Sequence, residues 1–404
     1  MSLNDTPRAN RLHIGLFGKR NSGKSSLVNA LTGQSTALVS DVAGTTTDPV
    51  YKSMEIHGIG PCVFIDTAGF DDAGELGKLR VEKTRLASER TDIALVLFSD
   101  ESMTEELAWA ARFQEARTPV IAVVNKADVW ADSGAALAER IKSESGLQPI
   151  VVSALRQKGI EQIREEIIRL LPEDYEVHSI TGSLAQDGDV VLLVMPQDIQ
   201  APKGRLILPQ VQTLRDLLDK KCLVMSVTTD RLDAALAAMK EPPALIITDS
   251  QVFRTVYEKK PAASRLTSFS VLFANAKGDI GFFVESAKKL DTLPPNARIL
   301  IAEACTHKPL QEDIGREKLP RLLRKRLGEK IELQIVSGPD FPDDLTPYDF
   351  VIQCGACMFN RKYVLARAAK ARRQGVPMSN YGVMLAQLAG ILDKVSLPGT
   401  ADTK

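Results

Sequence analysis

The stretch Gly18-Lys19-Arg20-Asn21-Ser22-Gly23-Lys24-Ser25 decides the fold of the first part of this chain. It lies between an apolar run, Leu12 to Phe17, that reads as a strand, and a helical stretch that begins at Lys24 and reaches Leu31. Glycines let backbone N–H groups turn inward around a phosphate, and the N-terminus of the next helix adds a partial positive charge. Gly18, Ser22, Gly23 and Ser26 are placed to cradle phosphates, Lys24 to reach the β- and γ-phosphates, and Ser25 to ligate Mg²⁺. Alone, such a loop indicates only a nucleoside triphosphate.

Working outward, Pro61 to Ile65, Ile93 to Phe98 and Val120 to Val124 are short, nearly unbroken apolar runs, as expected for strands covered on both faces. Charged amphipathic stretches such as Glu75 to Glu89 lie between them, and the last, Gly159 to Leu171, stops at Pro172. This alternation predicts a parallel α/β sheet.

The ends of those strands carry the remaining chemistry. Asp66-Thr67-Ala68-Gly69 puts a carboxylate near Mg²⁺ and the Gly69 amide near the γ-phosphate. Asn125-Lys126-Ala127-Asp128 offers an aspartate that can accept two hydrogen bonds from the N–H edge of guanine, which adenine would leave unpaired. Ser153-Ala154-Leu155 follows another strand and can give a backbone amide to the guanine O6, and Gly44-Thr45-Thr46-Thr47-Asp48 lies between loop and strand, where a switch threonine must close over Mg²⁺. Five such matches in order predict GTP and GDP as ligands, with Lys24, Ser25, Thr46, Asp66 and Gly69 as the catalytic set.

Together these residues resemble the TrmE–Era–EngA branch of the translation-factor-like GTPases, over about residues 10 to 172. The resemblance implies that Thr46, the second threonine of Gly-Thr-Thr, is a magnesium ligand. It also implies that Asn21 coordinates K⁺ beside the β/γ bridge, so that K⁺ and not Na⁺ stimulates hydrolysis. Phe70 stands where many GTPases have a water-orienting glutamine, and it cannot position water by hydrogen bonding, so turnover is expected to be slow.

With 404 residues, the chain is too long for one core; a rule of ~150 residues per domain suggests two or three. Hydrophobic content of 44% and charge of 25% allow a sizeable core, and 51 basic residues balance 51 acidic ones, so nucleic-acid coating is not expected. Met1 to Asn10 is polar, no apolar run approaches the ~20 residues of a membrane span, and five cysteines do not look like a disulfide framework. The expectation is a cytoplasmic protein with reduced thiols and no membrane contact.

The polar tract Pro172 to Asp189 is read as a domain boundary. A small α/β unit follows: strands Val190 to Met195, Cys222 to Val227 and Leu245 to Ile247, with helices Val211 to Lys221 and Arg231 to Met239. A second boundary falls within Ala262 to Ser270. Strands are expected at Arg298 to Ala302, Ile331 to Val336 and Tyr348 to Ile352, and basic helices at Glu317 to Leu327 and Arg361 to Arg372. The expected domains are 1–172, 173–265 and 266–404.

Three cysteines fall in the last quarter, as Cys305-Thr306-His307 and Cys354-Gly355-Ala356-Cys357, each half after an expected strand. Loops beyond the carboxyl ends of neighbouring strands can converge on one crevice. Buried thiols, a structural zinc on three cysteines and His307, or an iron–sulfur cluster on three cysteines all remain open on composition. Cys62 and Cys222 lie among apolar residues and read as core.

The GTPase part, the small middle unit, Ala201-Pro202-Lys203-Gly204-Arg205-Leu206-Ile207-Leu208-Pro209-Gln210 and the C-terminal cysteines together resemble the [FeFe]-hydrogenase maturation GTPase (HydF) family over nearly the whole chain. That resemblance implies a [4Fe–4S] cluster on Cys305, Cys354 and Cys357, with His307 among the candidates for a fourth ligand. It implies a homodimer through the middle unit, and a scaffold that carries a diiron precursor to the hydrogenase apoprotein. The radical-SAM maturation enzymes HydE and HydG are the implied partners. Gln353 replaces the histidine that many members carry before Cys354, and a glutamine carbonyl is a weak, hard ligand for iron. The alternative is a tRNA-modification or ribosome-assembly GTPase with a C-terminal structural zinc, which calls for a basic RNA-binding module. With aromatics at 5%, the middle segment offers no stacking platform for one.

Overall fold

The computed structural model describes residues 11–32, 50–56, 60–69, 75–130, 134–171, 179–196, 206–304, 314–338, 340–356 and 359–398. The chain divides into two compact units, Met1–Glu176 and Val177–Lys404.

In the first unit the described elements run β1 (Leu12–Phe17), α1 (Lys24–Thr32), β2 (Val50–Ile56), β3 (Gly60–Asp66), α2 (Glu75–Ser88), β4 (Ile93–Phe98), α3 (Thr104–Glu115), β5 (Val120–Val124), α4 (Ala135–Ser145), β6 (Ile150–Val151) and α5 (Ile160–Arg169). The six strands form one sheet in the order β2-β3-β1-β4-β5-β6. All neighbours are parallel except β2, which runs antiparallel against β3. Every residue of β1 and β4 is buried, because helices cover both faces of a parallel sheet. Two apolar clusters result. One packs Leu27, Val28 and Leu31 of α1 and Ile163 and Ile167 of α5 against Ile14, Leu95 and Val123; the other packs Phe113 of α3 and Ile141 of α4 against Phe17, Val96 and Val124. Cys62 is fully buried, and burial pushes its thiol up to about 12. The strand expected after Asp48 is β2, and its polar alternation carries no apolar run, which is why the sequence does not give its bounds.

The second unit contains two four-stranded parallel sheets. The first uses β7 (Val190–Val194), α6 (Leu208–Asp219), β8 (Leu223–Val227), α7 (Leu232–Ala238), β9 (Leu245–Thr248), α8 (Phe253–Lys259), β10 (Arg265–Ser268) and α9 (Phe269–Lys277), with strand order β10-β9-β7-β8. Helix α6 starts earlier than expected because Pro209 opens its first turn and the Gln210 side chain accepts the Ile207 N–H at 3.1 Å. The strand β10 lies inside the tract that the sequence suggests as a boundary.

The last sheet follows α10 (Ile280–Lys288). It comprises β11 (Arg298–Glu303), α11 (Leu319–Leu327), β12 (Glu332–Ser337), β13 (Phe350–Gln353), α12 (Arg361–Arg373), β14 (Met378–Asn380) and α13 (Tyr381–Leu388), in strand order β12-β11-β13-β14. A continuous apolar core joins the two sheets: Leu192, Ile246, Val271 and Ala274 cluster with Ile301, Val351, Tyr363 and Met384. The fold is a P-loop domain followed by further α/β structure, as the alternating pattern predicts.

Candidate functional site

The nucleotide loop is set by the ends of β1 and β5. Leu27 N–H donates to the Gly23 carbonyl at 2.8 Å, so the helical turn closes directly behind the loop. Lys24 is buried, and its Nζ donates to the carbonyls of Gly18 at 2.8 Å and Lys19 at 2.7 Å, folding the side chain back across the loop. Ser25 Oγ donates to Asp66 Oδ2 at 2.6 Å, bringing the expected magnesium ligand and the carboxylate expected near Mg²⁺ together from 41 residues apart. Burial pushes the Asp66 carboxyl up, against the opposing pull of the Ser25 hydrogen bond and the positive charge of Lys24. Ser22 is fully buried, and Ser26, next to Ser25 in sequence, is half-buried. Asn21 is exposed, at a left-handed φ of 60°.

Asn125 ties this loop to the base-recognition loops. Its Nδ2 donates to the Ser22 carbonyl at 2.9 Å, its Oδ1 accepts the Ala154 N–H at 3.3 Å, and its own N–H donates to Phe98 O at 3.0 Å. Gly23, at φ +90°, leaves the room that this amide needs: a Cβ there would collide with Asn125 Nδ2. Ser153 Oγ donates to Asp128 Oδ1, and this hydrogen bond, before any other influence, holds the exposed Asp128 carboxyl below the usual range. Lys126 sits at a left-handed φ of 61°, and the Ala127 N–H is anchored on Val152 O at 3.0 Å. Gly69 is buried two residues beyond Thr67, whose hydroxyl donates to Leu16 O at 2.6 Å.

One feature of the loop has no counterpart among the sequence motifs. Lys19 Nζ donates to Asp100 Oδ1 at 2.9 Å and to the Ser102 carbonyl, and lies 3.7 Å from Glu106 Oε2. Glu106 is 1% exposed, and burial pushes its carboxyl up to about 7. Only tertiary contact could show this.

In the second unit the ends of β11 and β13 lie side by side, with Ala302 opposite Gln353. Cys354 N–H donates to Ala302 O at 2.9 Å, and Cys354 Sγ accepts the Ala304 N–H at 3.0 Å. Gln353 is buried and its Oε1 has no hydrogen-bond partner among the described residues. At the same strand ends, buried Glu303 accepts Ser337 Oγ at 2.8 Å and pairs with Arg316 at 3.1 Å. Thr46, Phe70, Cys305, His307, Cys357 and residues 201–205 lie outside the described residues. Among the described residues no group of three or more His, Cys, Asp or Glu is placed to hold a metal ion. No helix among them is long and apolar enough to cross a membrane.

The loop, the Ser25–Asp66 contact and the Asn125 tie define a P-loop GTPase domain. Residues 13–126 match a family model described as 50S ribosome-binding GTPase. Residues 180–278 match the hydrogen maturase F dimerization domain, and residues 281–398 match the hydrogen maturase F tetramerization domain. These last two matches together cover more than half of the chain, and the protein belongs to the hydrogen maturase F family.

Among curated proteins the chain is similar to the tRNA modification GTPase MnmE of Paraburkholderia xenovorans, 40% identical over 163 residues, which are 39% of this chain and 34% of that protein. It is also similar to GTPase Der of Wolinella succinogenes, 35% identical over 172 residues, 39% of this chain and 36% of that one. The chain thus spans about a third of the length of these relatives. Among solved structures, an Era variant of Aquifex aeolicus bound to GDP and aluminium fluoride matches with a TM-score of 0.36 and 20% identity, over 56% of this chain and 98% of that one.

Proposed function

We propose that this protein is a GTP-hydrolysing scaffold of [FeFe]-hydrogenase maturation that binds a [4Fe–4S] cluster and hands a diiron precursor to the hydrogenase apoprotein. The observation that carries the nucleotide half is the contact of Ser25 with Asp66 beside the folded-back Lys24. With GTP bound, Lys24 would exchange the Gly18 and Lys19 carbonyls for the β- and γ-phosphates, and Ser25 and Thr46, with Asp66 near them, would hold Mg²⁺, which would offset the phosphate charge. Gly18, Ser22, Gly23, Ser26 and Gly69 supply contacts around the phosphates. Asp128 accepts the guanine N–H edge, while Asn125, Lys126, Ser153 and Ala154 frame the base. Exposed Asn21 is available to K⁺. Turnover is slow and K⁺-stimulated.

Three parts divide the labour. The first switches, the middle one pairs two copies, and the last holds the metal. An edge position for β8, with Leu223 64% exposed and Leu218 52% exposed nearby, supports a self-association surface on the middle sheet. For the cluster, the thiol of Cys354 accepting an N–H from the residue before Cys305 suits a soft, iron-binding donor set at one sheet end. Cys305, Cys354 and Cys357 would hold it, and His307 is a candidate fourth ligand. A cluster so held would present an open position for cargo. HydE and HydG are the proposed upstream partners and the cytoplasm the proposed compartment.

Two measurements test this. Anaerobically purified protein should contain iron and sulfide near ~4 each per chain, with a reduced-cluster EPR signal that Cys305→Ala loses. Stoichiometric zinc without sulfide after reconstitution would instead favour the RNA-directed GTPase. Hydrolysis should be faster in KCl than in NaCl at equal ionic strength; equal rates would remove Asn21 as a cation ligand.

A further inference from the structure

We propose that Lys277 is the positioning residue of the Cys354–Cys357 loop, acting as a buried cation supplied by the last turn of α9. Its side chain is 6% exposed, and its Nζ donates to Ala356 O at 3.1 Å and Phe359 O at 2.8 Å. The ring of Phe273, one turn back on the same helix, lies 5.9 Å from that nitrogen. Removing an ammonium from water costs several kcal/mol, so a lysine is buried only where acceptors and an aromatic face offset the loss. Here the acceptors are carbonyls on either side of Cys357.

The loop needs such a restraint. Ala356 has a left-handed φ of 45°, which is unfavourable for a residue with a Cβ and persists only when its surroundings fix it. A second cation returns the contact in the opposite direction. Arg361, the first residue of α12, donates from one guanidinium nitrogen to Asn275 O, Ala276 O and Gly278 O at 3.3, 3.2 and 3.1 Å. The end of α9 and the cysteine loop are therefore cross-tied: lysine to loop carbonyls, arginine to helix carbonyls.

Helix α9 starts directly from β10, with Ser268 as its N-cap accepting the Val271 N–H at 3.3 Å. The residue that positions the loop thus lies on the helix that leaves the last strand of the middle sheet, within the stretch that matches the dimerization domain. Its consequence for metal rests on the cluster reading above; the positioning of the loop does not.

The test uses the full-length protein with Lys277→Met, which keeps length and removes the donors, and Lys277→Gln, which keeps one donor and removes the charge. Amide hydrogen exchange across 354–361 in the metal-free protein should speed up about tenfold or more in Lys277→Met, which loses both charge-assisted hydrogen bonds to the loop, and less in Lys277→Gln. After anaerobic reconstitution both variants should lose iron to a chelator several-fold faster than the unaltered chain. The cooperative thermal unfolding of the second unit, which holds Lys277, serves as the check on folding, and GTP turnover should stay unaltered. Unchanged loop exchange in Lys277→Met overturns the proposal; faster exchange with unaltered iron retention upholds the positioning and overturns its consequence for metal. Should Lys277→Met not fold, the same two criteria apply to Lys277→Gln. An unaltered chain that takes up no iron would count against the cluster reading and leave the exchange result to judge Lys277.

Discussion

The nucleotide loop and the cysteine loop both sit beyond the carboxyl ends of parallel strands, yet they are built by different means. The nucleotide loop is contiguous in sequence, runs straight from β1 into α1, and shapes itself with backbone groups and its own lysine. Its long-range support comes from side chains already inside motifs, Asn125 and Asp66. The cysteine loop is short and strained at Ala356, and its support comes from Lys277 and Arg361, 79 to 86 residues away in sequence from the carbonyls they hold. A site made of one turn plus one helix end can be read locally. A site made by cross-tying elements from two sheets cannot.

If the two regions are chemically independent, changes in one should leave the other intact. The largest effect is expected for Lys24→Ala, which removes the charge from the phosphate site. Turnover should fall by about 10²–10³-fold and hydrogenase activation should stop, while iron content stays that of the unaltered chain. Loss of bound iron in that variant would break the comparison.

A smaller effect is expected for Gly23→Ala. The new methyl group meets the Asn125 amide, so the variant should lose about 1–3 kcal/mol of stability in the first unit. Thermal unfolding of that unit should drop by about 2–4 °C per kcal/mol, with iron loading unaltered. An unchanged transition would show that Asn125 is not the tie between the loops.

The smallest effect is a slope. Glu106 has its folded carboxyl raised from 4.5 to about 7 by burial, so between those values the folded state holds a proton that the unfolded chain releases. Stability of the first unit should therefore decline as pH rises through roughly 4.5 to 7, and Glu106→Gln should flatten that decline. The same slope in both proteins would place the titration elsewhere.

Much of the first unit is legible because each strand is a short apolar run and each functional residue follows one directly. Leu12 to Phe17, Ile93 to Phe98 and Val120 to Val124 are strands with those same bounds. The edge strand β2 and the two-residue β6 are legible only by their places, after Asp48 and before Ser153, and not in their bounds: one is polar on alternate residues and the other too short to carry a pattern. In the second unit β14 is hidden for a related reason. Its buried residues include Ser379 and Asn380, which read as loop; Asn380 is paid for only by its place as the cap of α13, its Oδ1 accepting the Val383 N–H at 2.9 Å.

Lys277 looks in sequence like any basic residue at a helix end, solvated and favourable to the dipole. Glu106 looks like an exposed first-turn acid, yet it is buried beside Lys19.

What the sequence by itself determined is the chemistry that requires adjacency: a glycine-rich turn, a lysine and a serine at a helix start, and an aspartate at a strand end. Backbone geometry over a few residues dictates those positions, so spacing alone encodes them. The tertiary structure decided which charges are buried and what holds a strained loop in place. Burial and the offset of a desolvated charge depend on neighbours tens of residues away, and no local pattern records them.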